Sequence, residues 1–227
     1  MPKYILVRHG ESVWNSQRRI QGTLDPELSP RGRRQTDLLV GHLRAHLSEA
    51  VAAIYASPRR RAAQTAEQIA ATYKLPVIHE PDLREISLGK WEGMTVAEIQ
   101  AATPGRYEQW LEDPLTFPAP GGEDLRAFER RVVGALHRMQ AAHPRADLIV
   151  VSHGGVIKTL LCFALGLDVR SLFRLKQDNT AVSQIELDGR VRRVLLLNDT
   201  CHLNAGGGSV AAQDVLTDAA EVADPAF

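Results

Sequence analysis

The chain has 227 residues, 44% of them hydrophobic and 24% charged, which suits one sizeable globular core and excludes a disordered or fibrous polypeptide. Lys+Arg and Asp+Glu both number 27, so no global field draws in nucleic acid or an anionic membrane, and any preference for anions has to be local. No apolar run approaches the roughly 20 residues of a membrane span, and Met1-Pro2-Lys3 leads straight into an apolar stretch without the pattern of a secretory leader.

In chain order, Tyr4-Ile5-Leu6-Val7 predicts a buried strand that delivers Arg8-His9-Gly10 to its carboxyl end, the edge where open α/β sheets bind ligands. A polar loop follows, from Glu11 to Leu28. Ser29-Pro30 reads as an N-cap with proline at the first helical position, and Leu38, Leu39, His42, Leu43 and Leu47 give that helix one buried stripe. Ala53 to Ala56 is a second strand. Ser57-Pro58 turns the chain into a helix ending near Tyr73, with Ala62, Ala66, Ile69 and Ala70 inward. Val77-Ile78 is a brief third strand, and residues 81–93 read as irregular. Thr95 and Glu98 form a capping box that opens a further helix.

Residues 104–124 are rich in proline and glycine around a short helix at Tyr107 to Leu111, and predict a subdomain over the edge of the sheet. A long helix runs from Leu125 to Ala142 with Phe128, Val132, Leu136 and Met139 on one face. Leu148 to Val151 is the clearest buried strand; it ends at Ser152-His153-Gly154-Gly155, and a helix is expected from Val156 to Leu165. Residues 181–187 and 191–197, joined at Asp188-Gly189, predict a hairpin. The strand–helix alternation implies a three-layer α/β/α sandwich, with a mainly parallel, right-handed sheet and one antiparallel strand. Residues 1–203 form the expected domain, with a helical cap-like insertion at about 94–124. The tail 204–227 is assigned no chemistry. Two cysteines, Cys162 and Cys201, predict reduced thiols and a cytoplasmic protein.

His9 and His153 share a context that the other six histidines lack: each follows an apolar strand and precedes a glycine. If the two strands are neighbours, both imidazoles emerge at one edge of the sheet. Imidazole can attack phosphorus, and a neighbouring guanidinium can grip phosphate oxygens bidentately.

Arg8-His9-Gly10-Glu11-Ser12, with Asn15 three residues on, resembles the signature of the histidine phosphatase, or phosphoglycerate mutase-like, superfamily, broad-specificity phosphatase branch. Ser152-His153-Gly154-Gly155 resembles its second signature. Ser57 to Ala66 is similar to its arginine segment, and Leu83-Arg84-Glu85 with Gly89-Lys90-Trp91-Glu92-Gly93 to its acid loop. The resemblance spans residues 4–203. It implies that His9 is a nucleophile forming a phosphohistidine, that Arg8, Arg61 and His153 complete a phosphate pocket, and that Glu85 protonates the leaving alcohol. It further implies phosphate contacts from Asn15, Gln21, Gly22 and Gly154, with no cofactor and no metal.

The residue types suit that chemistry. Phosphoryl transfer spreads charge over three oxygens, and two arginines with a cationic or donor histidine supply positioning and electrostatic stabilisation. His9 has to be neutral at the attacking nitrogen, so its other ring nitrogen is expected to donate to a backbone carbonyl. Glu85 has to carry a proton when the alkoxide leaves, which calls for burial or a nearby anion.

Duller readings stand beside these. Arg59 is the alternative to Arg61, Glu85 an exposed carboxylate paired with Arg84, and Trp14 and Trp91 packing residues. Glu11 is read as support for the loop, and His202 as buried structure or as lying just behind the site. Ile20-Gln21-Gly22 and a short acid loop resemble the family's phosphatases more than its mutases, a resemblance that implies hydrolysis of small-molecule phosphomonoesters, with a cofactor-dependent phosphoglycerate mutase as the alternative. A metal hydrolase using His9, Glu11 and His153, or a catalytically dead phosphate-binding module, are readings of other classes. No nucleic-acid or membrane partner is expected, and the protein is read as a monomer or homodimer.

Overall fold

A computed structural model describes residues 1–47, 51–189 and 191–204; the predicted tail beyond 204 lies outside the described residues. Six strands form one sheet: β1 (Lys3–Arg8), β2 (Val51–Ala56), β3 (Val77–His79), β4 (Asp147–Ser152), β5 (Val182–Leu187) and β6 (Arg192–Asp199). Their order is β3-β2-β4-β1-β5-β6. β1 to β4 pair in parallel, and β5 is antiparallel to both of its neighbours, so it alone runs against the rest. This is the expected three-layer sandwich.

Alternation along each strand sorts its side chains to the two faces. Ile5, Val7, Ile54, Ala56, Ile149 and Val151 pack with Leu39 and Leu43 of α2 (Pro30–His46) and with Ala62, Ala66 and Ile69 of α3 (Arg60–Tyr73). Tyr4, Leu6, Tyr55, Leu148 and Val150 face the other way. They pack with Phe128, Val132 and Leu136 of α6 (Leu125–Ala142) and with Ile157 and Leu160 of α7 (Gly154–Leu165). With both faces covered, the central strands need no polar positions, which is why β4 reads as an unbroken apolar run. Two shorter helices, α4 (Val96–Ala102) and α5 (Arg106–Glu112), bring Ile99, Tyr107 and Trp110 into the same apolar cluster. Trp91 meets Tyr107 and Trp110 there, with ring centres 5.8 and 5.6 Å apart, so it is a packing residue.

The structure departs from the sequence reading in three places. Leu38 is 37% exposed, because the buried stripe of α2 runs through Gln35, Thr36, Leu39 and Leu43 instead. α7 begins at Gly154 rather than Val156: His153 takes the N-cap, with an extended backbone, and both glycines fall in the first turn. The polar loop after β1 contains a short helix, α1 (Val13–Ser16), closed by a reciprocal Ser12–Asn15 capping box. Among the described residues, no helix is long and apolar enough to cross a membrane.

Candidate active site

Backbone register builds the floor of the site. β1 and β4 pair in parallel with Arg8 opposite Ser152, so the next residues, His9 and His153, leave the sheet side by side. The His9 N–H extends the ladder by donating to the Ser152 carbonyl at 3.0 Å. β2 pairs Ala56 with Val151, and the Ser57 N–H donates to the Val151 carbonyl at 3.0 Å, which brings Ser57 alongside His153. The two imidazoles meet edge to face with centres 5.2 Å apart.

Each ring is held in one orientation. His9 Nδ1 lies 2.7 Å from the Gly10 carbonyl, which can only accept, so Nδ1 carries the proton and Nε2 presents its lone pair. Arg61 Nε donates to that Nε2 at 3.2 Å. His153 Nε2 sits 2.8 Å from Ser57 Oγ, and its Nδ1 is buried without a hydrogen-bond partner. Arg8 donates through Nη1 to the Gln177 carbonyl. From behind, the Asn179 amide donates to the His9 carbonyl at 3.1 Å, and the Thr180 N–H is shared between the Arg8 and His9 carbonyls at 3.1 and 3.3 Å.

Arg61 projects from the first turn of α3 and is 1% exposed. Its remaining donors reach the carbonyls of Leu24 (2.8 Å) and Gly22 (3.0 Å), so one guanidinium both touches His9 and ties down the loop beside it. Gly22 has φ +49°, and a Cβ there would displace the Glu92 carboxylate, so glycine is favoured. Glu92 in turn accepts from the Thr23 N–H (3.1 Å), the Ser87 hydroxyl (3.0 Å) and the Leu88 N–H (3.0 Å), stitching this loop to the acid loop.

Glu85 forms the opposite wall. Its Oε1 accepts from the Ile86 N–H and its Oε2 from the Gly155 N–H in the first turn of α7, both at 3.0 Å. A Cβ at Gly155 would overlap this carboxylate, which explains the second glycine of the Ser152–Gly155 motif. The acid loop hangs on Arg131 of α6. That guanidinium donates to the carbonyls of Asp82, Arg84 and Glu85 and pairs bidentately with Glu123, both oxygens at 2.7 Å.

The cleft between floor and wall is lined by Arg8, His9, Asn15, Gln21, Gly22, Arg61, Glu85 and Gly154, among others. It gathers every residue expected to line it except His153. His153 lies at the back of His9, and Arg59 takes the N-cap of α3 instead of a place in the cleft. Asn15 and Gln21 turn their side-chain oxygens to Ser12, each about one hydrogen bond away (3.0 and 2.8 Å from its Oγ). Glu11 points elsewhere: its carboxylate accepts from Ser29 Oγ at 2.6 Å and pairs with Arg31, so His9, Glu11 and His153 do not converge as metal ligands. It supports the loop, as expected.

Electrostatics favour neutral rings and a bound anion. Burial, then Arg61 and Arg8, hold His9 well below the ordinary imidazole pKa; burial, then Arg61 and His9, do the same to His153. Of the two options for His153, cation or neutral donor, the fold thus selects the neutral ring. Burial lowers Arg61 to about 10, which leaves it charged at neutral pH.

Sequence reading missed several members of this site. Arg19 and Lys158 also line the cleft, so four cationic side chains face one carboxylate in a chain of zero net charge. Lys158 had a signal: a lone lysine in a helix apolar on every side, 1% exposed in the fold. Gln177 to Thr180, a fully buried polar run bracing Arg8 and His9, carried no signal beyond its polarity.

Comparison with known proteins agrees with this geometry. The profile of the histidine phosphatase superfamily (branch 1) matches residues 4–200. Phosphoserine phosphatase 1 of Hydrogenobacter thermophilus is 40% identical over 204 residues, 89% of this chain and 95% of that protein. YhfR of Bacillus stearothermophilus superposes with a TM-score of 0.83 at 32% identity, covering 90% of this chain and all of that one. A phosphoserine phosphatase mutant of Entamoeba histolytica, in complex with phosphoserine, gives a TM-score of 0.79 at 27% identity, covering 89% of this chain and all of that one. With its phosphoglycerate mutase-like fold, the chain belongs to the histidine phosphatase superfamily, branch 1.

Proposed function

We propose that this protein hydrolyses phosphomonoesters of small metabolites through a phosphohistidine on His9. The observation that carries this reading is the His9 Nε2 lone pair, fixed by the Nδ1–Gly10 bond and set against Arg61 in a cleft rich in cations. An incoming phosphate, with about −1.5 to −2 charge, takes the Arg61 and Arg8 N–H groups onto its oxygens, which uncovers Nε2 for in-line attack. Glu85, across the cleft, gives a proton to the leaving alcohol and then takes one from the water that attacks phosphorus; His9 is returned unmodified. With the Ser57 hydroxyl donating a hydrogen bond to Nε2, the neutral His153 ring carries its proton on the buried, unpartnered Nδ1, a further donor for the site. The cations of the site do the electrostatic work otherwise done by a metal, so the reaction is proposed to need none.

Lys158 lines the cleft beyond the phosphate pocket beside Arg19, which also pairs with Glu98 at 3.0 Å, and this suits an organic part that bears a carboxylate. Relatives named phosphoserine phosphatase make O-phosphoserine the first compound to assay. The acid loop is short, with only the turn Gly89–Trp91 before the Thr95 cap, and this supports water rather than a second phosphoryl acceptor. The two free thiols, Cys162 and Cys201, support a cytoplasmic setting. The test is phosphate release from a panel of phosphomonoesters in the presence of chelator, with acid-labile and base-stable phosphate trapped on His9 at steady state. Bisphosphate-dependent interconversion of phosphoglycerates with little phosphate release would reverse the choice.

A further inference from the structure

Away from the cleft, α2 and the turn after β6 bring metal-binding side chains together. His42 Nε2 lies 3.5 Å from Asp199 Oδ2, and its Nδ1 lies 3.7 Å from Cys201 Sγ. Cys201 Sγ is 3.5 Å from Asp199 Oδ2. Taking one donor atom from each residue, all three lie within 4.8 Å of one another. With zinc bonds of about 2.0–2.3 Å, neighbouring donors of a tetrahedral site stand roughly 3.3–3.7 Å apart; since one ion takes only one of the two His42 nitrogens, the set has to close by up to about 1 Å to hold it.

A fourth side chain stands beside this set, outside the 4.8 Å that joins the other three donors. His202 is 4% exposed, and its Nε2 lies 3.0 Å from Thr180 Oγ1. The Thr180 hydroxyl spends its own proton on the Asn179 carbonyl at 2.7 Å, so toward His202 it can only accept. Nε2 therefore carries the ring proton, and Nδ1 is a bare lone pair, buried without a hydrogen-bond partner. The centres of the His202 and His42 rings are 5.4 Å apart. Two imidazoles sharing one tetrahedral zinc have centres roughly 5 Å apart by the same bond lengths.

We propose that His42, Asp199 and Cys201 form a binding site for a divalent transition-metal ion of the zinc type, with the adjacent His202 drawn in as its fourth ligand. Two neutral imidazoles, a carboxylate and a thiolate suit a borderline-soft ion, and the two anions balance its charge. On binding, the Cys201 thiol loses its proton to solvent as the sulfur–metal bond forms. Cys201 is exposed and opens a path for entry. The Thr180 hydroxyl that fixes the His202 tautomer belongs to the residue whose N–H donates to the carbonyls of Arg8 and His9. An ion here is thus structural, stiffening the segment behind the phosphate pocket without touching substrate.

The test is titration of the full chain with Co²⁺, then displacement by Zn²⁺. One Co²⁺ per chain is expected, with a thiolate-to-cobalt charge-transfer band and intense tetrahedral d–d bands. Cys201→Ser should abolish the charge-transfer band, and His42→Ala and His202→Ala should each weaken binding roughly tenfold or more, while Cys162→Ser binds as the parent does. Zn²⁺ should raise the melting midpoint of the parent and not of Cys201→Ser, whose native circular dichroism shows that it folds. Weak binding at several sites without a charge-transfer band, or a band that survives in Cys201→Ser, would overturn the proposal.

Discussion

The two sides of the cleft are held by different means. On the floor, His9, His153 and Ser57 are each the residue after a strand, and main-chain ladders fix where they stand. On the wall, Glu85 sits on an irregular segment that owes its place to side chains, chiefly Arg131, Glu123 and Glu92, and to the missing Cβ of Gly155. A floor set by register cannot be shifted without breaking the sheet, whereas a wall set by side chains can be moved by one substitution. This division suits an enzyme family in which one phosphate pocket serves many organic groups.

The largest expected effect falls on the floor. His9→Asn keeps the size and a hydrogen-bonding group yet removes the proposed nucleophile, and kcat should fall on the order of 10⁴-fold or more; turnover near the parent level would end the reading of the site. Arg61→Ala should cost about 10²–10³-fold in kcat/KM. Because Arg61 also anchors Gly22 and Leu24, adding guanidinium to the assay should restore only part of that loss.

On the wall, Gly155→Ala pushes the Glu85 carboxylate aside while the imidazoles stay in place. A displacement of that kind is expected to lower kcat by about 10²-fold, with phosphohistidine still detectable in a quenched-flow experiment. Equal loss of both signals would mean that floor and wall are not separable. Arg131→Ala strips three carbonyls and one carboxylate of their donor at once. It should reduce the free energy of unfolding by about 3–5 kcal/mol, read from denaturant midpoints, with activity of the folded fraction lowered as the acid loop loosens.

The smallest effect is spectroscopic. His9 and His153 have folded pKa values depressed below 6.5, so the fold holds them neutral while the unfolded chain takes up protons. Their contribution is complete above about pH 6.5 and is lost as the pH falls below it. Nitrogen shifts of both rings should remain those of neutral imidazole at pH 6, where a solvated histidine is mostly protonated; ordinary titration of either ring would contradict the buried floor.

Much of this protein was legible in the chain itself. Apolar runs of four residues leading into Arg8-His9 and Ser152-His153, with helical stripes between them, determined a parallel α/β sheet and the placement of both histidines at its carboxyl edge. Those signals are local, because periodicity and turn chemistry act over a few residues. The tertiary structure alone decided between Arg59 and Arg61, turned Leu38 outward, and brought Lys158 and Arg19 into the cleft. It also placed Gln177 to Thr180 beneath His9, and set His42 beside Asp199, Cys201 and His202. Such pairings join residues up to about 170 positions apart, and they depend on which strands become neighbours and which helix face finds the core. No local pattern encodes either.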